Sequence, residues 1–167
     1  MSNSGVTLDR MVEHMAWANA QMCAALASLP TEVLTYVAPG SEWNVGAITH
    51  HLVTAAENYA QRLHGEPRAE SRELPLTSND LRMLASVLSR ADARLRAGAQ
   101  LPGDDILTWI SYGGEEISVP RWVLVNQAVH HATEHRAQIA GALVANGNSS
   151  LDLDALDVWS FNDGLQS

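Results

Sequence analysis

The stretch that decides the fold reads Val-His-His-Ala-Thr-Glu-His-Arg-Ala-Gln, residues 129–138. It lies early in a long segment with helical periodicity, and it holds three of the chain's seven histidines. An α-helix turns by about 100° per residue, so side chains four positions apart lie on one face. The stretch therefore offers two pairs of neighbours, His131 with His135 and His130 with Glu134.

The apolar residues of this segment predict which pair faces the protein interior. They cluster on one arc of the helical wheel: Leu124, Val125, Ala128, Ala132, Ile139, Ala142 and Leu143. His131 and His135 fall on the flank of that arc, whereas His130 and Glu134 fall nearly opposite it. Two inward histidines fit a metal site, and they fit equally two partly buried side chains that hydrogen-bond in the core.

Length and composition indicate one globular domain that spans residues 1–167. The chain is 46% hydrophobic and 17% charged, which is typical of a folded protein with a substantial core. Its formal net charge is −9, with 10 basic residues against 19 acidic ones. Binding to a phosphate backbone needs clustered Lys and Arg, so we expect no nucleic-acid partner.

Cysteine usage and the amino-terminal residues predict a cytoplasmic protein. The single cysteine, Cys23, excludes an intramolecular disulfide and fits a reducing compartment. Its neighbours Met22 and Ala24 indicate a buried apolar position rather than a reactive thiol. The first ten residues do not form a signal peptide. No apolar run approaches the roughly 18 residues of a membrane span, so no membrane contact is expected.

Helical periodicity predicts three helices before the histidine-rich one. The first runs from near Thr7 to Pro30, and the second from Trp43-Asn44 to Gly65, with Ser41 or Asn44 as its cap. The third begins after the cap cluster 77–80 and ends at Gly98. On the second helix, His51 lies on the flank of the apolar arc and His50 nearly opposite. The outer face of the third helix is expected to be solvated; it carries Arg82, Arg90, Asp92, Arg94 and Arg96.

Between Pro102 and Pro120 the apolar pattern changes from helical to alternating. Residues 106–112 and 115–119 flank two adjacent glycines, which predicts a short β-hairpin. Pro120 then opens the fourth helix, which closes at Asn146-Gly147. The acidic tail from Ser149 is expected to pack back on the helices through Leu151, Leu153, Leu156, Trp159 and Phe161.

Four amphipathic helices with a hairpin before the last predict an all-α four-helix bundle, and bundles hold metal sites between facing helices. His51 from the second helix and His131 and His135 from the fourth supply three inward imidazoles. Three histidines plus water are the ligands of an open, catalytic zinc site. The sequence therefore predicts a divalent metal ion, zinc foremost, although nickel and iron(II) also accept imidazole.

A second pattern overlaps these residues. His131-Ala-Thr-Glu134-His135 matches the H-x-x-E-H signature of inverted zinc peptidases, in which the glutamate would act as general base. Helix geometry turns Glu134 about 100° away from His135, toward the polar side. The match is short and nothing else in the chain resembles a peptidase, so the bundle interpretation is favoured.

Three motifs carry a resemblance to a known family. They are Met-Ala-Trp-Ala-Asn at 15–19, Trp-Asn-Val-Gly at 43–46 leading to His51-Leu52, and His-Ala-Thr-Glu-His-Arg-Ala-Gln at 131–138. In order and spacing, over nearly the whole chain, they resemble the DinB/YfiT-like superfamily of metal-binding four-helix bundles. Ala137 stands where that family usually has glycine. The resemblance implies His51, His131 and His135 as metal ligands, the three that the wheels select.

The resemblance also implies a class of function. Several relatives use a metal to activate small thiols such as bacillithiol or mycothiol, as S-transferases or as a maleylpyruvate isomerase. Others respond to DNA damage without evident DNA chemistry. We expect a metal-dependent transferase whose partners are a small-molecule thiol and an electrophilic substrate, and we assign no catalytic residue. The alternative is a non-catalytic stress-response or binding protein that retains a vestigial metal site.

Two further expectations concern assembly and access. Family members are often dimers, so the resemblance implies a homodimer. The electrophile is expected to enter at the mouth of the bundle, under the hairpin 106–119 or under the tail near Trp159 and Phe161.

Overall fold

Four long helices form most of the fold. The structure is a computed structural model that describes residues 3–68, 72–75 and 77–166, with residues 3–6 described as backbone alone. The long helices are α1 (Asn3–Ser28), α2 (Val45–Leu63), α3 (Ser78–Ala99) and α4 (Arg121–Ala145). An antiparallel hairpin of β1 (Ile106–Ile110) and β2 (Glu116–Pro120) precedes α4, and the short helix α5 (Val158–Gly164) follows it. The predicted bundle with a hairpin before its last long helix is confirmed.

The starts of α2 and α3 show why these helices begin where they do. Asn44 caps α2, because its side-chain oxygen accepts a hydrogen bond from the Ala47 amide at 2.8 Å. Thr77 and Asp80 form a capping box on α3, in which each side chain accepts a hydrogen bond from the other residue's amide. Such caps satisfy amide groups that a helix leaves without partners.

Two helix boundaries differ from the predicted ones. α1 begins at Asn3 instead of near Thr7, since no proline interrupts residues 3–6. α3 continues through Gly98 to Ala99. A Cβ atom on Gly98 would lie only 3.0 Å from Cδ1 of Leu63, so this glycine permits the close approach of α3 to α2 instead of ending the helix.

Helix packing places α2 beside α4. Each of α1 and α2 packs against both α3 and α4, and the space between them is filled by apolar side chains. The largest fully buried ones include Met15, Met22, Leu26, Leu52, Leu88, Leu95, Ile139 and Leu143. All seven residues that predict the inward arc of α4 are buried. Among the described residues, no helix combines the length and the apolar character that a bilayer span requires.

The predicted solvated face of α3 is wrong at one position, Asp92. Its exposed fraction is 2%, whereas Arg82 and Arg90 are exposed as expected. α3 is covered by α1 on one side and by α2 on the other, so it buries a wider arc than its apolar stripe. Asp92 lies within that extra arc and accepts a hydrogen bond from Asn19 of α1 at 3.0 Å.

The carboxyl-terminal tail packs back only in part. Leu151, Leu156 and Phe161 are buried, and Phe161 contacts the Trp17 ring on α1, with their centroids 5.5 Å apart. The prediction is wrong for Leu153 and Trp159, of which 40% and 80% remain exposed. Trp159 precedes Phe161 by two positions on α5, about 200° around the helix, so the two rings face opposite ways.

An ion pair between α1 and α3 generates a stability prediction. Arg96 donates two hydrogen bonds to the Asp9 carboxylate, at 2.7 and 2.9 Å. The Arg96 guanidinium holds the pKa of Asp9 at about 2, below its ordinary value of 3.8. Because the folded pKa lies below the unfolded one, the pair stabilises the fold above about pH 4 and stops doing so as the pH falls toward 2. We expect Asp9→Asn to lower the free energy of unfolding by about 1 kcal/mol at pH 7, since both side chains are partly exposed to screening solvent.

Urea unfolding of the wild type and the variant, at pH 7 and at pH 2, measures this effect. The difference between the two proteins should shrink at the lower pH. Asp163→Asn, which changes an exposed acid on α5, serves as control and should match the wild type at both values. An Asp9→Asn effect of the same size at pH 2 would contradict the assignment.

Candidate metal centre

Three histidines meet at the seam between α2 and α4. The Nε2 atom of His131 lies 3.1 Å from Nε2 of His51 and 3.0 Å from Nε2 of His135. One ligand nitrogen from each ring lies within 4.8 Å of the other two. His135 is buried and His131 half-buried, whereas His130 and Glu134 are exposed, so the predicted inward pair is confirmed. The structure thus brings together the three side chains that the sequence selects.

The donor set fits a metal ion better than a hydrogen-bonded cluster. An imidazole Nε2 carries either one proton or one lone pair, so His131 cannot form full hydrogen bonds with both neighbouring rings at once. A cation between the rings would accept all three lone pairs. With Zn–N bonds of about 2.0–2.1 Å, nitrogens of a tetrahedral site lie roughly 3.3 Å apart, close to both spacings at His131.

Burial keeps the imidazoles of His131 and His51 in the neutral form that binds metal. Removal from water, followed by the proximity of His135 and His51, lowers the pKa of His131 to about 4. Burial also lowers the pKa of His51, with smaller contributions from His135 and His50. Metal ions bind the neutral imidazole. At neutral pH these rings therefore offer lone pairs without first losing a proton.

Gln138 orients the third ring. The Nδ1–H group of His135 donates a hydrogen bond to Oε1 of Gln138 at 2.7 Å. This contact leaves the lone pair of the neutral ring on Nε2, the atom that faces His131. Our sequence reasoning did not assign Gln138 to the site. Its spacing of three residues from His135, on the same helix face, is the signal that could have found it.

His50, the neighbour of His51 on α2, has a different role. His50 donates from Nε2 to the backbone carbonyl of Arg72 at 2.9 Å. Arg72 in turn forms a bidentate ion pair with Glu57 of α2. His50 therefore anchors the chain that follows α2 and does not belong to the cluster.

An aromatic wall and a cavity border the histidines. The Trp43 ring lies 4.8 Å from the His51 ring, and Tyr59 meets the His131 ring edge-on at 5.6 Å. A cavity of about 570 Å³ opens beside His51 and His135. Residues 38–41, Trp43 and Ile48 form much of its lining. This cavity therefore opens beside the loop before α2, and the expected entrance of the electrophile under the hairpin or the tail stays a prediction.

A buried polar network stands behind the cluster. Arg136, next to His135 in the chain, donates to Oδ1 of Asn19 at 2.6 Å, and Asn19 donates to Asp92. Burial raises the pKa of Asp92 to about 6 and lowers that of Arg136 to about 10. Asn19 ends the motif at 15–19 and Arg136 belongs to the motif at 131–138. The network is thus a physical reason for the two motifs to occur together.

Fold and site together define the class of protein: a four-helix bundle with a three-histidine cluster, able to hold a metal ion, between its second and fourth helices. The model of the DinB family matches residues 1–161. The chain therefore belongs to the DinB family, within the DinB/YfiT-like superfamily. No curated protein matches the sequence.

Paired histidine substitutions test the ligand assignment. We expect His131→Ala or His135→Ala to weaken zinc binding at least about a hundredfold, because each removes one of the three histidine nitrogens predicted to bind the ion. His130→Ala and His50→Ala should leave binding nearly unchanged, since His130 is exposed and His50 bonds to a backbone carbonyl. Competition titration with a chromogenic chelator gives the affinities. Equal losses from His130→Ala and His131→Ala would show that the assignment is wrong.

The contact of His135 with Gln138 generates a separate prediction. Gln138→Ala removes the acceptor that fixes the ring of His135, and such losses typically weaken metal affinity by about 10- to 100-fold. Gln21→Ala, which changes an exposed glutamine on α1 away from the cluster, is the control and should have no effect. The same chelator competition measures both variants, and wild-type affinity in Gln138→Ala would contradict the proposed role.

Proposed function

We propose that the protein is a metal-dependent transferase that activates a low-molecular-weight thiol for attack on an electrophilic substrate. The observation that carries the proposal is that the cluster offers a metal ion three histidine nitrogens and leaves a fourth coordination position open. His51 and His135 line a cavity, His131 completes the cluster with them, and no fourth Cys, His, Asp or Glu joins the cluster within the described part of the chain. Closed structural zinc sites use four protein ligands, whereas catalytic sites keep one position open.

The proposed ligands are His51, His131 and His135, with zinc as the first candidate and nickel or iron as the others. A divalent metal ion held there supplies positive charge, which lowers the pKa of a thiol that reaches it. Thiolate is the nucleophilic form of sulfur, and an ordinary thiol with a pKa of about 8.5 is mostly protonated at neutral pH. Membership of a family in which several members activate small thiols supports this chemistry over metal-assisted hydrolysis.

The only cysteine of the chain does not serve as nucleophile in this proposal. Cys23 lies on α1, 7% exposed, and outside the histidine cluster. Burial, with a further contribution from Asp92, raises the pKa of its thiol to about 12. A thiol in this environment stays protonated. The sulfur that attacks must therefore belong to a bound small molecule.

The remaining residues of the site hold and shield the reactants. Gln138 fixes the orientation of His135, so the ligand nitrogens are positioned before the substrate arrives. Trp43 and Ile48 give the cavity an apolar surface suited to the non-polar part of an electrophile. In the reaction, the thiol loses its proton to water and the sulfur bonds to the electrophilic carbon. The leaving group departs with the electron pair of the broken bond.

A transfer assay with a defined metal content tests the proposal. Zinc-loaded protein should accelerate the addition of at least one thiol, from a panel of mycothiol, bacillithiol, glutathione and cysteine, to an aryl halide or an epoxide. Removal of the metal with a chelator, or the substitution His131→Ala, should reduce the rate to the background. Cys23→Ser should keep the wild-type rate, because the nucleophile is not part of the protein.

Two outcomes would overturn the proposal. If no thiol of the panel shows a metal-dependent rate, the transferase assignment fails and a non-catalytic binding function replaces it. If Cys23→Ser alone abolishes the activity while zinc affinity is retained, the protein itself supplies the nucleophile and the mechanism is wrong.

A further inference from the structure

A second cavity lies between the hairpin and the carboxyl-terminal half of α2. It has a volume of about 380 Å³, and its lining includes Asn58, Arg62, Arg68, Trp109 and Tyr112. Each arginine stacks on one aromatic ring of the hairpin. The guanidinium carbon of Arg62 lies 4.6 Å from the centroid of the Trp109 ring, and that of Arg68 lies 4.0 Å from the centroid of the Tyr112 ring.

The two arginines differ from most others in the chain. Arginines that form ion pairs with carboxylates are Arg10, Arg72, Arg94, Arg96 and Arg121. Arg62 and Arg68 form no ion pair with any residue in the described ranges. Glu66 also lines the cavity, but its carboxylate is engaged by Arg94 at 2.6 Å. Stacking on a ring holds a guanidinium by its face and leaves its edge N–H groups free to bind a planar oxyanion.

Asn58 adds a polar group that needs a partner. Its exposed fraction is only 6%, and its amide nitrogen donates to the Tyr112 hydroxyl at 3.3 Å. The side-chain oxygen of Asn58 is buried and has no hydrogen-bond partner among the described residues. A buried acceptor without a donor costs about 1–3 kcal/mol, so such groups usually mark a place that a ligand or water fills. The missing partner must be an N–H or O–H group.

The cavity lies along the same face of α2 as the histidine cluster. Asn58 and Arg62 follow His51 by 7 and 11 positions, which brings both back to within about 20° of His51 around the helix. Along the axis, the rise per residue places them roughly 10 and 16 Å from His51. Side chains on a helix lean toward its amino-terminal end, so that of Arg62 leans toward the cluster. Tyr59, in edge contact with His131, lies between the two sites.

We propose that this cavity binds the carboxylate end of the thiol substrate, and that the substrate is a small amino-acid-derived thiol. Arg62 and Arg68 bind the carboxylate, and a neighbouring N–H group of the ligand donates to the side-chain oxygen of Asn58. A sulfur atom roughly 10–16 Å away, the span of the seven to eleven helical residues that separate Asn58 and Arg62 from His51, then reaches the cluster. The assignment of the ligand as a thiol rests on the proposed function, whereas carboxylate binding does not.

Binding of a thiol-free probe to metal-free protein tests the cavity independently of activity. N-acetyl-L-glutamate carries carboxylates and an N–H group but no sulfur. We expect saturable binding in calorimetry and a shift of the Trp109 indole N–H signal in NMR spectra. Arg62→Ala and Arg68→Ala should each weaken binding about tenfold, because each removes charge-assisted hydrogen bonds. Arg82→Ala, an exposed arginine of α3 outside the cavity, and His131→Ala should bind like the wild type.

Several results would overturn the binding proposal. They are wild-type affinity in the double variant Arg62→Ala/Arg68→Ala, binding of inorganic phosphate more tightly than N-acetyl-L-glutamate, and equal binding of an analogue that lacks the N–H group. Circular dichroism confirms that each variant is folded. If Arg62→Ala does not fold, Arg68→Ala and Arg68→Lys provide the same comparison, since Arg68 is exposed and a lysine retains the charge but not the bidentate donors.

Kinetics of the zinc-loaded protein then test the link to the metal centre. For glutathione, Arg68→Ala should raise KM about tenfold with kcat nearly unchanged. This pattern is expected when the lost interaction binds the substrate and the transition state equally well. For 2-mercaptoethanol, which has no carboxylate, KM should not change. Equal effects on both thiols would overturn the assignment of the cavity to the substrate's acidic end. Probe binding without any metal-dependent thiol transfer would refute the proposed function and leave carboxylate binding established.

Discussion

The packing of α2 against α4 is the constraint on which the candidate metal centre depends. His51 lies on one helix, and His131 and His135 lie on the other, so their Nε2 atoms meet only at a particular offset of the two helices. Close packing of the apolar side chains around the seam sets that offset, because dense cores tolerate little sliding. Burial at the same seam keeps the pKa of His131 near 4, so helix packing both brings the three imidazoles together and keeps that of His131 unprotonated at neutral pH.

Polar groups in the core add a second constraint. Asn19 on α1 bridges Asp92 on α3 and Arg136 on α4, and Arg136 is covalently next to His135. Buried polar groups are costly unless their partners are in place, so the network disfavours packings in which these three helices are displaced. A displacement of α4 would move Arg136 and the histidine together. The network therefore couples the orientation of the cluster to the arrangement of the whole bundle.

Several features could be predicted because they depend on helix geometry alone. The periodicity of apolar residues correctly separates His131 and His135 from His130 and Glu134, and it correctly assigns the buried residues of α4. Asp92 could not be predicted, because its burial depends on α3 having neighbours on two sides. The outward Trp159 and the position of the cavity beside Trp43 depend on contacts between distant segments. Gln138 could be found by its spacing, but only once the ring of His135 is known to need an acceptor.

The sequence by itself determined the helical class, the hairpin and the identities of the three inward imidazoles, because all of these follow from local periods of 3.6 and 2 residues and from turn-forming glycines. Only the tertiary structure decided that the three rings meet, which way the site opens and that Asn58, Arg62 and Arg68 surround a second cavity. These facts depend on how far helices and the hairpin are shifted relative to one another. That shift results from the summed packing of side chains distant in sequence, which no local pattern contains.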